Sequence, residues 1–272
     1  MCGFFVNLKK KDLNKFEKMK LYKISKKYLN HRGPDFNKCF QDKKNFLFHS
    51  RLSIQDLSKK SNQPMVRNYK KLKVILVYNG EIYNFKTLRK NLSKKIKFHS
   101  SGDTEVLLNN FLINKDYKKF LKSMDGMFSF VIKYGDEIFF SRDRFGQKPL
   151  FFFQDKKNIY LSSEIKPILK MLLKNEIFLN KEAVKKYFLE NSFFSGEETF
   201  FKNIYSVKPG EHGTISNFNI IATNYYDEKN FFKTKKSIKK KDFINIFEKN
   251  ILKHLIADKK FAIALSGGLD SQ

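Results

Sequence analysis

Apolar residues come in short bursts along the chain, and the spacing of the bursts alternates between two periods. Residues 2–8 form a compact apolar run followed by polar turn formers, which predicts a strand. Asp12 suits the cap of a helix whose apolar face includes Leu13, Phe16, Ile24 and Tyr28. Further strands are expected at 38–41, 46–50 and 73–78. The last of these runs into Asn79-Gly80, a turn dipeptide that tolerates positive φ. Helices follow at 85–92 and 100–111, then strands at 126–133, 137–141, 150–153 and 158–162. Helices at 164–171 and 181–189 lead to a looser stretch and a short strand at 214–216.

The character of the chain then changes. Residues 217–241 are polar, aromatic and lysine-rich, the composition of a linker crossing a surface. Residues 242–255 carry Ile244, Phe247, Ile251 and Leu255 on one stripe, an amphipathic helix. A strand is expected at 261–265, ending in the glycine-rich Ser266-Gly267-Gly268-Leu269-Asp270-Ser271. Strands outnumber helices in the first 217 residues, and helices fall between pairs of strands. The pattern predicts an α+β domain with helices packed on stacked antiparallel sheets. Helix, strand and glycine turn at the end predict the opening of a parallel α/β nucleotide-binding domain. The expected division is a first domain over 1–217, a linker over 218–240, and the start of a second domain over 241–272.

Composition adjusts this picture in three ways. Hydrophobic residues make up 41% of the chain, with 31 Phe, enough for a sizeable core. No apolar run reaches the length of a membrane span, and the start lacks the apolar core of a signal peptide. Two cysteines, Cys2 and Cys39, argue against a disulfide scaffold and fit a reducing cytoplasm. The excess of 55 Lys+Arg over 27 Asp+Glu gives a net charge of +28, which taken alone is a nucleic-acid footprint. The lysines are scattered rather than gathered in a stripe, however, and Lys, Asn, Ile and Phe are abundant together while Trp is absent. That bias accounts for the charge without a nucleic-acid partner. His31, His49, His99, His212 and His254 show no metal-ligand spacing, so no metal site is expected.

Two stretches carry candidate chemistry. Cys2 follows the initiator Met, which is normally trimmed before a small residue. A terminal Cys joins a nucleophile to its own base, because an α-amino group titrates near about 7.7–8.0. At the other end, glycines after a strand let backbone N–H groups approach a polyphosphate, and Ser266 and Ser271 add hydroxyl donors. The other candidates each have a plain structural alternative. Arg51 alone reads as a surface cation, Asp103 as a helix cap, and Asn79-Gly80 as a turn.

Six short stretches decide between these readings by occurring in one order: Cys2-Gly3, His31-Arg32-Gly33-Pro34-Asp35, Arg51-Leu52-Ser53-Ile54, Asn79-Gly80-Glu81-Ile82-Tyr83-Asn84, Ser101-Gly102-Asp103-Thr104-Glu105 and Arg142-Asp143. Together they resemble the class II glutamine amidotransferase domain, an N-terminal-nucleophile hydrolase with an αββα sandwich of two antiparallel sheets. The stretch from Leu265 through Ser266, Gly267, Gly268, Leu269, Asp270 and Ser271 resembles the pyrophosphate loop of the ATP pyrophosphatases. The combination resembles the glutamine-hydrolysing asparagine synthetase family, with the second domain barely begun.

The resemblance implies Cys2 as nucleophile and Asn79 with Gly80 as oxyanion donors. It implies a glutamine site built from Arg51, Leu52, Ser53, Ile54, Gln55, Asn79, Gly80, Glu81 and Asp103, in which Arg51 clamps the α-carboxylate and Asp103 the α-ammonium. It implies ATP and Mg²⁺ as cofactors of the full-length enzyme, with aspartate as acceptor, and is compatible with a homodimer. An amidotransferase of the same architecture acting on a sugar or surface-polysaccharide precursor is the alternative, because the acceptor is bound by the second domain. A fragment of this kind is limited to the glutaminase half.

Overall fold

A computed structural model of the chain describes residues 1–114, 116–190, 196–226, 238–260 and 262–269. Two six-stranded sheets, antiparallel at every pairing, are stacked on each other. The first contains β1 (Gly3–Lys9), β2 (Phe36–Gln41), β3 (Asn45–Arg51), β8 (Phe151–Gln154), β9 (Asn158–Ser162) and β10 (Ile204–Ser206), in the order β10-β8-β9-β1-β3-β2. The second contains β4 (Met65–Tyr69), β5 (Leu72–Ile82), β6 (Gly126–Tyr134), β7 (Glu137–Arg142), β11 (Glu211–Ser216) and β12 (Asn219–Asn224), in the order β12-β11-β7-β6-β5-β4.

Alternation along β1 explains why its sequence is apolar at nearly every position. Phe4, Val6 and Leu8 face the other sheet and pack with Leu47, Ile75, Val77, Val131 and Phe140. Phe5 points the opposite way, into a layer with Phe46, Phe48, Leu21, Leu29 and Ile168. That layer lies under α1 (Lys15–Leu29) and α5 (Ile165–Met171). On the far side of the second sheet, Tyr78, Phe128 and Phe130 pack against α2 (Phe85–Leu92), α3 (Asp103–Ile113) and α4 (Tyr117–Lys122). Three apolar layers therefore separate four structural ones, the αββα arrangement expected from the sequence. α6 (Lys181–Glu190) and α7 (Lys240–His254) complete the described helices.

Several expectations need correction. Asn14, not Asp12, caps α1: its side chain accepts the Glu17 N–H and Glu17 returns the bond. Starting there rotates Phe16 outward, 68% exposed, and buries Leu21, Ser25 and Leu29. Asn79-Gly80 is no turn, because β5 runs straight through it, with Asn79 opposite Ser129 and Gly80 opposite Phe128 on β6. A Cβ on Gly80 would lie 2.2 Å from Met127 O, so the glycine serves close strand approach. Residues 219–226 are not linker: β12 pairs with β11, and Tyr225 is buried against Arg142 O. The strands β4, β10 and β12 escape a reading of periodicity: β10 has only three residues, β12 is exposed at five of its six, and β4 buries Met65 alone, whereas the edge strand β2 is among those expected. The strand expected at 261–265 is absent over its described residues 262–265, where no described strand lies beside it to take up backbone hydrogen bonds.

Candidate active site at the amino-terminal cysteine

The ends of β3 and β5, the residue before β1 and the start of α3 meet around one cavity. Its empty volume is about 510 Å³, open mouth included. Of the expected residues, Cys2, Arg51, Leu52, Ile54, Gln55, Asn79, Gly80, Glu81 and Asp103 line it. Ser53 does not; its N–H donates to the Asp35 carboxylate at 2.7 Å, fixing the loop from outside. Five lining residues lie outside the expected site: Met1, Gln63, Tyr78, Thr104 and Lys148.

Cys2 is held from two directions. The Leu52 N–H donates to Sγ at 3.3 Å, and the thiol lies 3.5 Å from Leu52 O. Arg32 Nε donates to Cys2 O at 2.9 Å, while Arg32 Nη1 pairs with Glu164 at 3.0 Å. His31 Nε2 reaches the same Glu164 oxygen at 2.9 Å. Gly33 lets this loop lie flat on β3, since a Cβ there would meet Ser50 O at 2.4 Å. Burial pushes the Cys2 thiol up, and the Leu52 N–H offsets part of that. A thiol raised in this way needs a base beside it to react as thiolate.

Asn79 is the most unusual residue in the cavity. It is 1% exposed, and neither its amide nitrogen nor its amide oxygen has a protein partner. Leaving a buried amide unpaired costs about 1–3 kcal/mol, so the position is built for a partner that enters the cavity.

Two carboxylates and a lysine flank it. Asp103 Oδ2 accepts the Tyr78 hydroxyl at 2.8 Å and the Ile82 N–H at 3.0 Å. Burial pushes the Asp103 carboxyl up, and those two donors offset part of the rise. Glu81 is also pushed up, first by burial and then by the neighbouring Asp103. Burial lowers the Lys148 ammonium, with Glu81 opposing. The two carboxylates share the cavity with the Lys148 ammonium and the Arg51 guanidinium, and the terminal N–H groups of Arg51 are already bonded to protein, so Asp103 and Glu81 can receive an ammonium group.

Asp103 owes its place to Asp56. Asp56 Oδ2 accepts N–H bonds from Ser101 at 2.7 Å and Gly102 at 3.2 Å, and the Ser61 hydroxyl at 2.7 Å. Burial would raise the Asp56 carboxyl, but the donors from Ser58, Ser61 and Ser101 hold it well below the usual carboxylate range. Glu105, in the same motif, ties down the preceding turn through the N–H groups of His99 and Ser100.

The expected role of Arg51 changes in the structure. The side chain is buried, and its four terminal N–H bonds go to protein: Nη1 to Ser58 O at 2.8 Å and Asn62 Oδ1 at 2.6 Å, Nη2 to Gln55 O at 3.3 Å and to Asp56 O. In this arrangement the fork organises loop 55–62, and only Nε–H is left to face a carboxylate. Arg142 and Asp143 act similarly on another loop. The buried Asp143 carboxylate accepts N–H bonds from Phe128, Phe145, Gln147 and Lys148. That sets the start of the segment bearing Lys148.

The glycine-rich stretch at the other end stands apart. Leu265, Ser266, Gly267, Gly268 and Leu269 are exposed and line no part of this cavity; Asp270 and Ser271 lie outside the described residues. Gly267 has φ +74, a Cβ added there would meet nothing within 4 Å, and the Gly268 N–H donates to Ser266 Oγ at 3.3 Å. Left-handed backbone and open space fit the close approach of a phosphate in kind. Among the described residues, no group of three or more His, Cys, Asp or Glu is gathered to hold a metal ion.

Comparison with known proteins bears on the family and the fold. The family model of the glutamine amidotransferase domain matches residues 1–226. The chain is 32% identical over its whole length to asparagine synthetase [glutamine-hydrolyzing] 1 of Bacillus subtilis, and covers 43% of that protein. It is 30% identical over its whole length to the nodule asparagine synthetase [glutamine-hydrolyzing] of Pisum sativum, and covers 41% of it. The chain thus spans less than half the length of either relative. Among solved structures, glutamine phosphoribosylpyrophosphate amidotransferase from B. subtilis superposes with a TM-score of 0.59 at 17% identity, covering 83% of this chain and 49% of that one. This last likeness concerns the fold alone. The sandwich, the thiol cavity and the match over residues 1–226 lead to one statement: the chain belongs to the glutamine amidotransferase domain family.

Proposed function

We propose that this chain hydrolyses glutamine to glutamate and ammonia at Cys2. The observation that carries the reading is the buried, unpartnered Asn79 amide in the same cavity as the thiol. Cys2 Sγ adds to the side-chain carbonyl carbon of glutamine, and the Asn79 amide donates to the oxyanion that forms. The Cys2 α-amine takes the thiol proton and returns it to the amide nitrogen, so that collapse breaks the C–N bond, expels ammonia and leaves a γ-glutamyl thioester, which water hydrolyses to glutamate and the free thiol. Asp103 and Glu81 hold the α-ammonium group. Arg51 keeps the loop that receives the α-carboxylate in shape and offers Nε–H to it.

The base in this scheme is the Cys2 α-amine, which requires removal of Met1. Met1 sits at the mouth of the cavity, its sulfur 3.3 Å from Lys148 Nζ and 4.0 Å from Arg32 Nη2. Trimming it frees the amine beside the thiol and opens the entrance.

For a protein of these relatives' full length we infer glutamine-dependent asparagine synthesis in the cytoplasm. The relatives matching along the whole chain are named asparagine synthetases, which favours aspartate over a sugar precursor as acceptor. Leu265, Ser266, Gly267, Gly268, Leu269, Asp270 and Ser271 would then cradle the ATP phosphates. ATP with Mg²⁺ supplies the activation of the acceptor as an adenylate, and ammonia from Cys2 amidates it. Residues that would hold Mg²⁺ are not gathered among the described ones. No described helix is long and apolar enough to cross a membrane.

The test is ammonia release from L-glutamine by the purified chain and by its Cys2→Ala variant. Release that disappears in the variant supports the reading. Equal release in both, or none in either, refutes it.

A further inference from the structure

Three hydrogen bonds tie the cavity loop to the segment that follows α7. The Asp258 carboxylate accepts the Asp56 N–H at 2.7 Å. The Asp258 N–H donates to Ile54 O at 2.9 Å. The Gln55 side chain donates to Ile256 O at 3.2 Å. All three loop residues involved matter to the cavity: Ile54 and Gln55 line it, and the carbonyls of Gln55 and Asp56 accept the Arg51 fork.

The geometry at Asp56 explains why the loop needs an outside hold. Asp56 sits at φ +49, a conformation that residues with a Cβ rarely adopt. Its polar groups are all engaged: the carbonyl by Arg51, the carboxylate by Ser58, Ser61, Ser101 and Gly102, and the N–H by Asp258. Only the last of these partners comes from outside the residues around the cavity.

The far segment has its own anchors on the sandwich. Lys253 pairs with Asp125 at 2.8 Å, the His254 ring lies 4.3 Å from the Tyr83 ring, and Ile256 packs on the layer beneath α2 and α3. This segment lies beyond residues 1–226 matched by the amidotransferase domain.

We propose that Asp258 is a positioning residue for the glutamine pocket, a clamp through which the placement of α7 sets the shape of loop 54–56. The proposal rests on the reading that the chain hydrolyses glutamine. Through Asp56 and Gln55 the clamp reaches the Arg51 fork, so movement of residues 256–258 alters the surface that receives the substrate carboxylate.

The experiment uses the full chain with Asp258→Ala, Asp258→Asn and Lys253→Ala, following ammonia release over a range of L-glutamine and amide hydrogen exchange at residues 54–56. Asp258→Ala is expected to raise KM about five- to tenfold, the scale of one charge-assisted hydrogen bond partly transmitted, with kcat within about twofold. Asp258→Asn keeps an acceptor for the Asp56 N–H and is expected to hold KM within about twofold of the unchanged chain. Lys253→Ala removes one exposed anchor and leaves the His254 and Ile256 contacts in place, so it is expected to raise KM less than Asp258→Ala does. In Asp258→Ala the Asp56 amide is expected to exchange faster.

An unchanged KM in Asp258→Ala overturns the proposal. So does a fall in kcat at constant KM, which marks a smaller folded fraction. If the unchanged chain releases no ammonia, the functional reading fails; hydrogen exchange then still judges the clamp, and equal protection of the Asp56 amide in both chains refutes it.

Discussion

The phenol of Tyr78 donates a 2.8 Å hydrogen bond to Asp103, joining the middle of β5 to the first turn of α3. This bond fixes one of two carboxylates that face the cavity, and both are pushed above their ordinary range by burial. The ionised forms bind an ammonium group, and the protonated forms do not. KM for glutamine should therefore rise on acidification, starting at a pH above about 4, the ordinary carboxylate midpoint. A KM profile of Asp103→Asn that keeps the same acid rise would assign the effect elsewhere.

Asn79→Ala removes the unpartnered amide. Turnover of glutamine should fall by about 10²–10³, the usual loss for one oxyanion donor, with KM little changed. A change confined to KM would make Asn79 a binding residue without a part in the reaction.

Arg51→Lys replaces a fork by a point charge. Four bonds to loop 55–62 depend on that fork. The loop should loosen, with KM raised about tenfold and faster hydrogen exchange over 55–62, as expected for loss of about one net hydrogen bond's worth of hold on the substrate. Equal exchange and equal KM in the two proteins would contradict the role.

His49 gives a prediction about stability. It is fully buried on β3, with Nε2 2.9 Å from Tyr78 O and Nδ1 without a partner, and burial lowers its pKa to about 3. Because the unfolded chain binds this proton near about 6.5 and the folded chain does not, stability falls as pH drops from there toward about 3. The loss is on the order of a few kcal/mol at the acid end. His49→Gln should flatten this slope between pH values of about 7 and 5 in urea unfolding; an unaltered slope would remove His49 as its source.

The sequence exposes most of the sandwich because its central strands are buried on both faces, so β1, most of β6 and residues 74–78 of β5 are apolar. It hides β4, β10 and β12, of which β10 has only three residues, β12 is exposed at five of six and β4 buries Met65 alone. Most of the expected glutamine-site residues converge on one cavity; they follow from the ordered motifs that resemble the amidotransferase family, whereas spacing alone reads Asn79-Gly80 as a turn. The use of the Arg51 fork was not legible. Its partners are mostly backbone carbonyls, which every residue has, and only the fold decides which ones point inward. Lys148 and Tyr78 were missed for a related reason: one is placed by Asp143 and the other by strand register, neither of which leaves a local signature.

The central claim is that Cys2, as the first residue of the mature protein, is the nucleophile. Its most direct measurement is the intact mass of the purified chain before and after treatment with an electrophilic glutamine analogue, with peptide mapping of the adduct. The account predicts a chain lacking Met1 and a single adduct on Cys2 that protects against further glutamine turnover. A chain that retains Met1 yet turns glutamine over, or an adduct on Cys39 alone, would contradict it.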